Sequence, residues 1–158
     1  MFVLEVVATI RASRMTPTDD DWGDTVSVLD LAPHLPDEAL AGLDGFSHVE
    51  VIYVFDRVTP AEIVRGSRHP RGNEAWPKVG VFAQRGKNRP NRLGVSIGRI
   101  VGVHGRELHV AELDAIDGTP VVDIKPVIRE FLPRGEVRQP VWASELMQDY
   151  WRVAPPDR

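Results

Sequence analysis

The sequence predicts an all-β fold with minor helices, arranged as one small, mostly antiparallel β-barrel. Short stretches of alternating or β-branched residues recur along the chain, and polar turns containing Gly and Pro separate them. No long helical pattern alternates with these stretches, which argues against a doubly wound sheet. The chain has 158 residues, the length of a single domain, and shows no internal repeat or dividing linker. We therefore expect residues 1–158 to form one barrel domain.

The clearest predicted strand covers residues 47–58, where Val49, Val51 and Tyr53 share one face. The GVHGRE turn predicts a hairpin between the last two strands. In chain order, we expect strands at residues 3–10, 26–31, 47–58, 79–84, 94–103 and 107–113.

The segments between the strands are predicted to be loops and short helical pieces. A helical turn should begin at Pro36, because proline suits the first turn of a helix. Residues 59–77 are rich in Pro, Gly and Arg and predict a long loop, and loops of this length are often functional. Two further helical pieces are expected, at residues 126–131 and 144–151.

Composition excludes several classes of chemistry. The chain has no cysteine, which excludes disulfides, thiolate catalysis and cysteine zinc sites. The five histidines are scattered, so we expect no metal site. The opening MFVLEVVATIRAS has no basic region before its apolar run and is interrupted by Glu5, so we expect no signal peptide and a cytoplasmic protein with no membrane partner.

The net charge of −4 conceals a strong asymmetry. Residues 65–92 carry eight Lys or Arg and a single acid, Glu74. Such a run is commonly just a solvated loop. Here it coincides with Gly, Pro and Asn, and irregular basic loops commonly bind anions. We expect an anionic partner, with nucleic acid the leading candidate.

The motif GKNRPNRLG lies within this basic segment. Its arginines offer fixed donor groups that suit carboxylate or phosphate, while Gly and Pro allow tight turning. The alternative is an exposed connection between two strands.

A second motif, LDAIDGTPVVDIKP, is dominated by Asp114, Asp117 and Asp123. D-G-T-P is typical of a turn, in which Asp117 can simply accept the turn's own hydrogen bonds. Three aspartates after a strand end also suit a ligand with ribose hydroxyls, an amino group or a sulfonium. Both interpretations stay open for Asp117.

Familiar nucleotide and hydrolase motifs are absent from the sequence. No GxGxxG follows a strand and no GxxxxGK[ST] is present. Ser96 in GVSIG lies within a predicted strand, which argues against a hydrolase nucleophile. Trp22 and Trp76 lie in polar loops, where they could stack on bases or cap the barrel.

Three blocks of the sequence resemble the TsaA/TrmO family. They are LDGFSHVEVIYVFDR, HPRGNEAWPKVGVFAQRGKNRPNRLGVSIGRI and LDAIDGTPVVDIKP, which occur in the family's order and cover roughly residues 42–132. Two departures are visible. DDDWGDTVSVL stands where the family has an N-terminal Pro-Arg-Gln loop, and Gln84 replaces a family Thr.

The resemblance implies a small β-barrel that binds S-adenosylmethionine, commonly as a homodimer, and methylates N6 of threonylcarbamoyladenosine 37 in tRNA. A noncatalytic module that binds S-adenosylmethionine or another nucleotide is the alternative. The resemblance assigns no catalytic residue, and Asp117 is a candidate to take the proton of the acceptor nitrogen. The implied cofactor-binding residues are Asp56, Arg57, Arg85, Val95, Ala111, Glu112, Leu113, Asp114, Asp117 and Thr119. The expected tRNA-binding residues are Arg68, Arg71, Arg89, Asn91 and Arg92.

Overall fold

Within residues 1–155, which the computed structural model describes, six strands close into an antiparallel barrel and two short strands form a separate ribbon. The strands and the α-helix of this part of the chain are β1 (Ala8–Arg11), β2 (Val26–Leu31), β3 (His48–Val54), β4 (Ser67–Arg68), β5 (Val79–Gly80), β6 (Leu93–His104), β7 (Glu107–Ala111), β8 (Pro120–Pro126) and α1 (Val141–Leu146). Around the barrel the strand order is β1-β2-β7-β6-β3-β8, and the ribbon pairs β4 with β5. The predicted fold class is therefore confirmed.

The barrel interior is filled by the side chains that alternate inward along each strand. On β3 the predicted face is confirmed, since Val49, Val51 and Tyr53 are all buried. Leu108 and Val110 on β7 pack into the same apolar cluster. This packed interior leaves the ends of the barrel and its outer surface as the places where a ligand can bind.

The hairpin predicted at GVHGRE is present between β6 and β7. His104 pairs with Glu107, and Gly105 between them has a φ of 60°, a conformation that glycine adopts without strain. The hairpin therefore fixes the register of the two strands that lead to the LDAIDGTPVVDIKP motif.

Several predicted elements differ from the structure. The first strand begins at Ala8 rather than at residue 3, because its partner β2 ends at Leu31 and offers no ladder beyond that point. The strand expected at residues 79–84 ends at Gly80, and a 3-10 turn, Val81–Ala83, follows it. Strand β8 was not predicted, because its aspartate, lysine and prolines obscure the alternation of the other residues.

The predicted loop at residues 59–77 contains β4 and 3-10 turns at Pro60–Glu62 and Pro70–Gly72. The helical turn expected after Pro36 is a 3-10 turn at Asp37–Leu40. Of the region 126–131, only Arg129–Phe131 is helical, while α1 begins at Val141, three residues before the predicted start. Among the described residues, no helix is both long enough and apolar enough to cross a membrane.

Candidate functional site

The carboxylate of Asp114 accepts hydrogen bonds from three hydroxyl groups. Its Oδ1 accepts hydrogen bonds from Ser96 on β6 and from Tyr53 on β3, the latter at 3.1 Å. Its Oδ2 accepts a hydrogen bond from Tyr150, which lies after α1. Asp114 itself follows β7 and is half-buried. Three distant parts of the chain thus converge on one charged group at the barrel end.

The two tyrosines of this group are held in their neutral form. Burial, followed by the adjacent Asp114 carboxylate, raises the pKa of both Tyr53 and Tyr150 above the ordinary value. Each hydroxyl is therefore a stable donor to Asp114 rather than a source of negative charge.

The C-terminal segment, defined here as residues 141–155, lies alongside the loop at residues 14–25. The amides of Asp21, Trp22 and Gly23 donate to carbonyls at positions 149, 150 and 152, at 3.1, 2.8 and 3.0 Å. The Arg152 guanidinium also contacts the Asp21 carboxylate at 2.8 Å. The loop that stands in place of the family's Pro-Arg-Gln loop is therefore tied to the other end of the chain.

The backbone around β7 and the residues after it borders a shallow pocket of about 350 Å³. The pocket is lined by Gly23, Ile97, Glu112 and Trp151. Glu112 has an exposed side chain and a φ of 63°, uncommon for a residue other than glycine. Such strain is found disproportionately at functional sites.

Glu112 differs from its two neighbours in the direction of its side chain. Ala111 and Leu113 are buried, so only their backbone groups are available to a ligand. Of these three predicted cofactor residues, Glu112 alone offers its side chain.

Asp117 holds the turn between β7 and β8. Its Oδ1 accepts a hydrogen bond from the Ala12 amide at 2.9 Å, and its own amide donates to the Arg14 carbonyl at 2.8 Å. Thr119 is buried and donates its hydroxyl to the Ile116 carbonyl at 2.8 Å. The structural role considered for Asp117 is therefore present, and it leaves the second carboxylate oxygen without a hydrogen bond to the described residues.

The three aspartates of the motif do not form one cluster. Asp123 lies on β8 and pairs with Lys125 at 2.8 Å, whereas Asp114 and Asp117 have the separate partners described above. Sequence proximity suggested a shared acidic site, but the strand geometry of β8 separates their contacts.

Four further predicted cofactor residues, Asp56, Arg57, Arg85 and Val95, lie on or near the ends of β3 and β6. Arg85 donates to the Val95 carbonyl at 2.5 Å, which joins two of the predicted residues directly. Arg57 donates to the Met15 carbonyl at 2.8 Å, and Asp56 beside it is exposed. A role for these residues in binding the cofactor stays a prediction.

Most arginines predicted to bind tRNA contact the protein itself. Arg89 donates to the Gln84 carbonyl at 2.8 Å and Arg92 to the Val58 carbonyl at 2.7 Å. Arg71 pairs with Asp20 at 3.0 Å. Arg89 and Arg92 therefore stabilise the irregular backbone near their own segment, whereas Arg71 ties that segment to the loop at residues 14–25.

Arg68 and Asn91 complete the predicted tRNA-binding group. Arg68 is half-buried and reaches the side chain of Asn88 at 3.5 Å, while Asn91 is exposed. Three other cations of the basic segment are exposed and make no side-chain hydrogen bond or ion pair within residues 1–155. They are Arg65, Lys78 and Lys87.

Sequence reasoning identified Asp114 but missed its three partners. Tyr53 could have been suspected, because a tyrosine on an inward strand face needs a partner for its hydroxyl. Ser96 gives a similar but weaker signal, because a polar side chain at a buried position also needs a hydrogen-bond partner. For Tyr150 the sequence holds no such signal, since its contact depends on how the C-terminal segment folds back.

Taken together, the fold and these contacts define a small antiparallel β-barrel with a cluster of polar side chains around Asp114. The chain belongs to the family of tRNA-methyltransferase O N-terminal domains, whose family model matches residues 7–131. The resemblance seen in the three sequence blocks is thereby confirmed.

Relatives in three domains of life share this region. The human tRNA (adenine(37)-N6)-methyltransferase is 37% identical over 106 residues, which cover 67% of this chain and 24% of the relative. The Escherichia coli protein of the same name is 38% identical over 103 residues, covering 62% and 43%. A probable S-adenosyl-L-methionine-binding protein of Pyrococcus abyssi is 39% identical over 102 residues, covering 64% and 52%. The matched region therefore spans from about a quarter to about half of these relatives.

A solved structure shares the same architecture. The crystal structure of TrmO from Pseudomonas aeruginosa superposes with a TM-score of 0.70 at 27% identity. The superposition covers 89% of this chain and 62% of the other. The likeness extends beyond the barrel to most of the described residues.

Proposed function

We propose that this protein is an S-adenosylmethionine-dependent methyltransferase that modifies N6 of adenosine 37 in tRNA, with threonylcarbamoyladenosine as the acceptor. The observation that carries the proposal is the family match over residues 7–131, which includes both the GKNRPNRLG and LDAIDGTPVVDIKP motifs. We further propose that it acts as a cytoplasmic homodimer.

The residues at the barrel end have the chemistry that S-adenosylmethionine requires. Its ribose hydroxyls and amino group need acceptors. The carboxylates of Asp56 and Glu112 are exposed, and Asp114 keeps one acceptor position at Oδ2 beside the hydroxyl of Tyr150. The carboxylate of S-adenosylmethionine needs a donor, and the exposed guanidinium groups of Arg57 and Arg85 are the candidates. The residues present therefore fit the cofactor.

The chain's part in the reaction is to orient two bound molecules. S-adenosylmethionine, when bound, supplies an electrophilic methyl group on a positively charged sulfur. Methyl transfer to a nitrogen needs alignment rather than a covalent enzyme intermediate, so rigid positioning by Asp114 and the backbone of residues 111–113 contributes most.

A proton must leave the acceptor nitrogen during or after the transfer. Asp117 is the candidate acceptor, because its Oδ2 makes no hydrogen bond with the described residues while Oδ1 is held by the Ala12 amide. The basic segment would hold the tRNA by its phosphates, which positions RNA without reading its sequence.

The direct test is a methyl-transfer assay on tRNA. Purified protein with labelled S-adenosylmethionine should methylate tRNA from cells that make threonylcarbamoyladenosine. It should fail on tRNA from cells that lack this modification. Equal labelling of both would exclude the proposed acceptor, and no labelling of either would exclude the transferase activity on tRNA.

A noncatalytic S-adenosylmethionine-binding module is the second candidate. The Pyrococcus abyssi relative, named only as a probable binding protein, favours it. Calorimetric titration that shows binding, combined with no methyl transfer to tRNA, would select this alternative.

A further inference from the structure

The stretch Asp149–Arg152, which we name the C-terminal brace, connects two parts of the candidate site. On one side it accepts three backbone hydrogen bonds from the loop residues Asp21, Trp22 and Gly23. On the other side, Tyr150 donates its hydroxyl to Oδ2 of Asp114. One short stretch therefore fixes both the loop and the acidic motif.

The contact between the brace and the loop is close. A Cβ atom at Gly23 would overlap the carbonyl oxygen of Trp151, so only glycine fits against the brace. Trp151 packs its ring edge-on against Tyr150, with ring centroids 5.0 Å apart. The brace also contributes Trp151 to the lining of the pocket beside Glu112.

The brace lies outside the part of the chain that the family model matches, which ends at residue 131. Its partner loop carries DDDWGDTVSVL, the sequence that stands where the family has its Pro-Arg-Gln loop. The loop and the brace therefore lie against each other, beside the LDAIDGTPVVDIKP motif.

We propose that the C-terminal brace completes the cofactor site of this chain, with Tyr150 as a positioning residue that orients Asp114 and holds the loop at residues 21–23. The inference rests on the proposed function, because the site it completes is the one proposed for S-adenosylmethionine.

The hydrogen-bond pattern gives Tyr150 a role that the barrel residues do not share. Tyr53 and Ser96 both donate to Oδ1. Tyr150 donates to Oδ2, so it restrains this second oxygen and leaves one of its two acceptor positions for a ligand. A binding group that is already held in place loses less conformational entropy when the ligand binds, which favours binding.

The test compares Tyr150→Phe, which removes only the hydroxyl, with Glu145→Ala as the control. Glu145 lies elsewhere on the C-terminal segment, away from Asp114. Its carboxylate accepts a hydrogen bond from the Trp76 indole at 2.7 Å. Both variants lose one hydrogen bond of this segment. Thermal unfolding of each variant checks that the fold is retained.

Calorimetric titration with S-adenosylmethionine should give a Kd about tenfold higher for Tyr150→Phe, and a change below about twofold for Glu145→Ala. In the methyl-transfer assay, KM for S-adenosylmethionine should rise while kcat changes much less, since a lost binding contact acts on the ground state and transition state alike. Hydrogen exchange at the amides of Asp21, Trp22 and Gly23 should become faster in Tyr150→Phe.

Should Tyr150→Phe fail to fold, Arg152→Gln replaces it, because this change removes the ion pair with Asp21 and keeps the hydroxyl. It should raise the Kd about threefold, with faster exchange at the same amides. An unchanged or lower Kd in whichever variant folds would overturn the inference, and a lower Kd would mean that the brace obstructs the site. If the unaltered protein does not bind S-adenosylmethionine, the proposed function fails and the inference fails with it.

Discussion

Asp114 joins parts of the chain that are far apart in sequence. Tyr53, Ser96 and Tyr150 reach it from β3, β6 and the C-terminal segment. Hydrogen bonds to an ionised acceptor are stronger than those between neutral groups. A change at this one side chain should therefore affect the packing of all three elements.

Replacing Asp114 with Asn tests that expectation. The amide keeps one acceptor oxygen and gains two donors, so it cannot accept from three hydroxyls as the carboxylate does. We expect the free energy of unfolding to fall by about 2–3 kcal/mol in urea denaturation. The matched control is Asp123→Asn, whose ion pair with Lys125 is exposed and should contribute less than about 1 kcal/mol. Equal losses for the two variants would contradict the central role of Asp114.

The two tyrosines predict an alkaline pH dependence. They are the only tyrosines in the chain, and burial together with Asp114 raises the pKa of each. In the unfolded chain both should titrate near a pKa of about 10. Their contribution to stability is therefore complete below about pH 10 and is lost as the pH rises above it, because the unfolded state then binds fewer protons.

Ultraviolet difference absorbance of tyrosinate measures this directly. The folded protein should show no tyrosinate signal at pH 10, and the signal should appear together with loss of the fold at higher pH. A tyrosine that ionises near pH 10 in the folded protein would contradict the buried contact with Asp114.

Residue-level prediction from sequence succeeded where a motif concentrates unusual groups. Asp114 stands out in LDAIDGTPVVDIKP, and the structure places it among hydroxyl donors. The hydroxyl donors to Asp114 were not predicted, because Ser96 and Tyr53 are residue types that are common in strands. Tyr150 escaped because no local pattern encodes a contact between residues 36 positions apart.

At the level of elements, β6 is the longest strand of the barrel. It pairs with β3 along one edge and with β7 along the other, and its register with β7 shifts between Ile100 and Gly102. Gly98 lies where β6 crosses close to β7, facing Val110 and the carbonyl oxygen of Ala111.

Replacing Gly98 with Ala should destabilise the barrel. The new Cβ would overlap the Val110 side chain and come within 2.9 Å of the Ala111 carbonyl oxygen, so the strands would have to separate. We expect a loss of about 1–3 kcal/mol in the free energy of unfolding, as for other overpacked sites. Gly80→Ala is the control, since a Cβ there meets nothing within 4 Å and no positive φ is needed. A loss in Gly80→Ala as large as that in Gly98→Ala would contradict the argument.

Element prediction was accurate where a strand has both a pattern and a partner. Strand β3 shows alternation and lies between β6 and β8, and its buried face is as expected. The apolar residues before Ala8 also have strand propensity, but propensity alone does not supply a neighbouring strand. In strand β8 the reverse holds: the sequence has low strand propensity, with prolines at Pro120 and Pro126, but neighbouring strands pair with it.

Across the whole molecule, the cations of the basic segment are of two kinds: some contact the protein itself, and others are exposed without a partner among the described residues. Arg71, Arg89 and Arg92 contact the protein's own carbonyl or carboxylate groups. Sequence reasoning could count these charges but could not tell how the loop would use them. A nucleic-acid partner would therefore meet mainly the exposed cations that the protein leaves without partners among the described residues.

Lys87 is one of those exposed cations, and the salt dependence of tRNA binding tests its role. Each phosphate contact that is lost should reduce the slope of log affinity against log salt by about 0.7–0.9, because fewer counterions are released on binding. We expect Lys87→Gln to show this reduction and to weaken binding about equally for tRNAs of different sequence. Lys125→Gln is the control, because its ammonium group already pairs with Asp123 at 2.8 Å on β8. Filter binding of tRNA over a range of salt concentrations measures both slopes. If the slope changes equally in the two variants, tRNA binding depends on overall charge rather than on the basic segment.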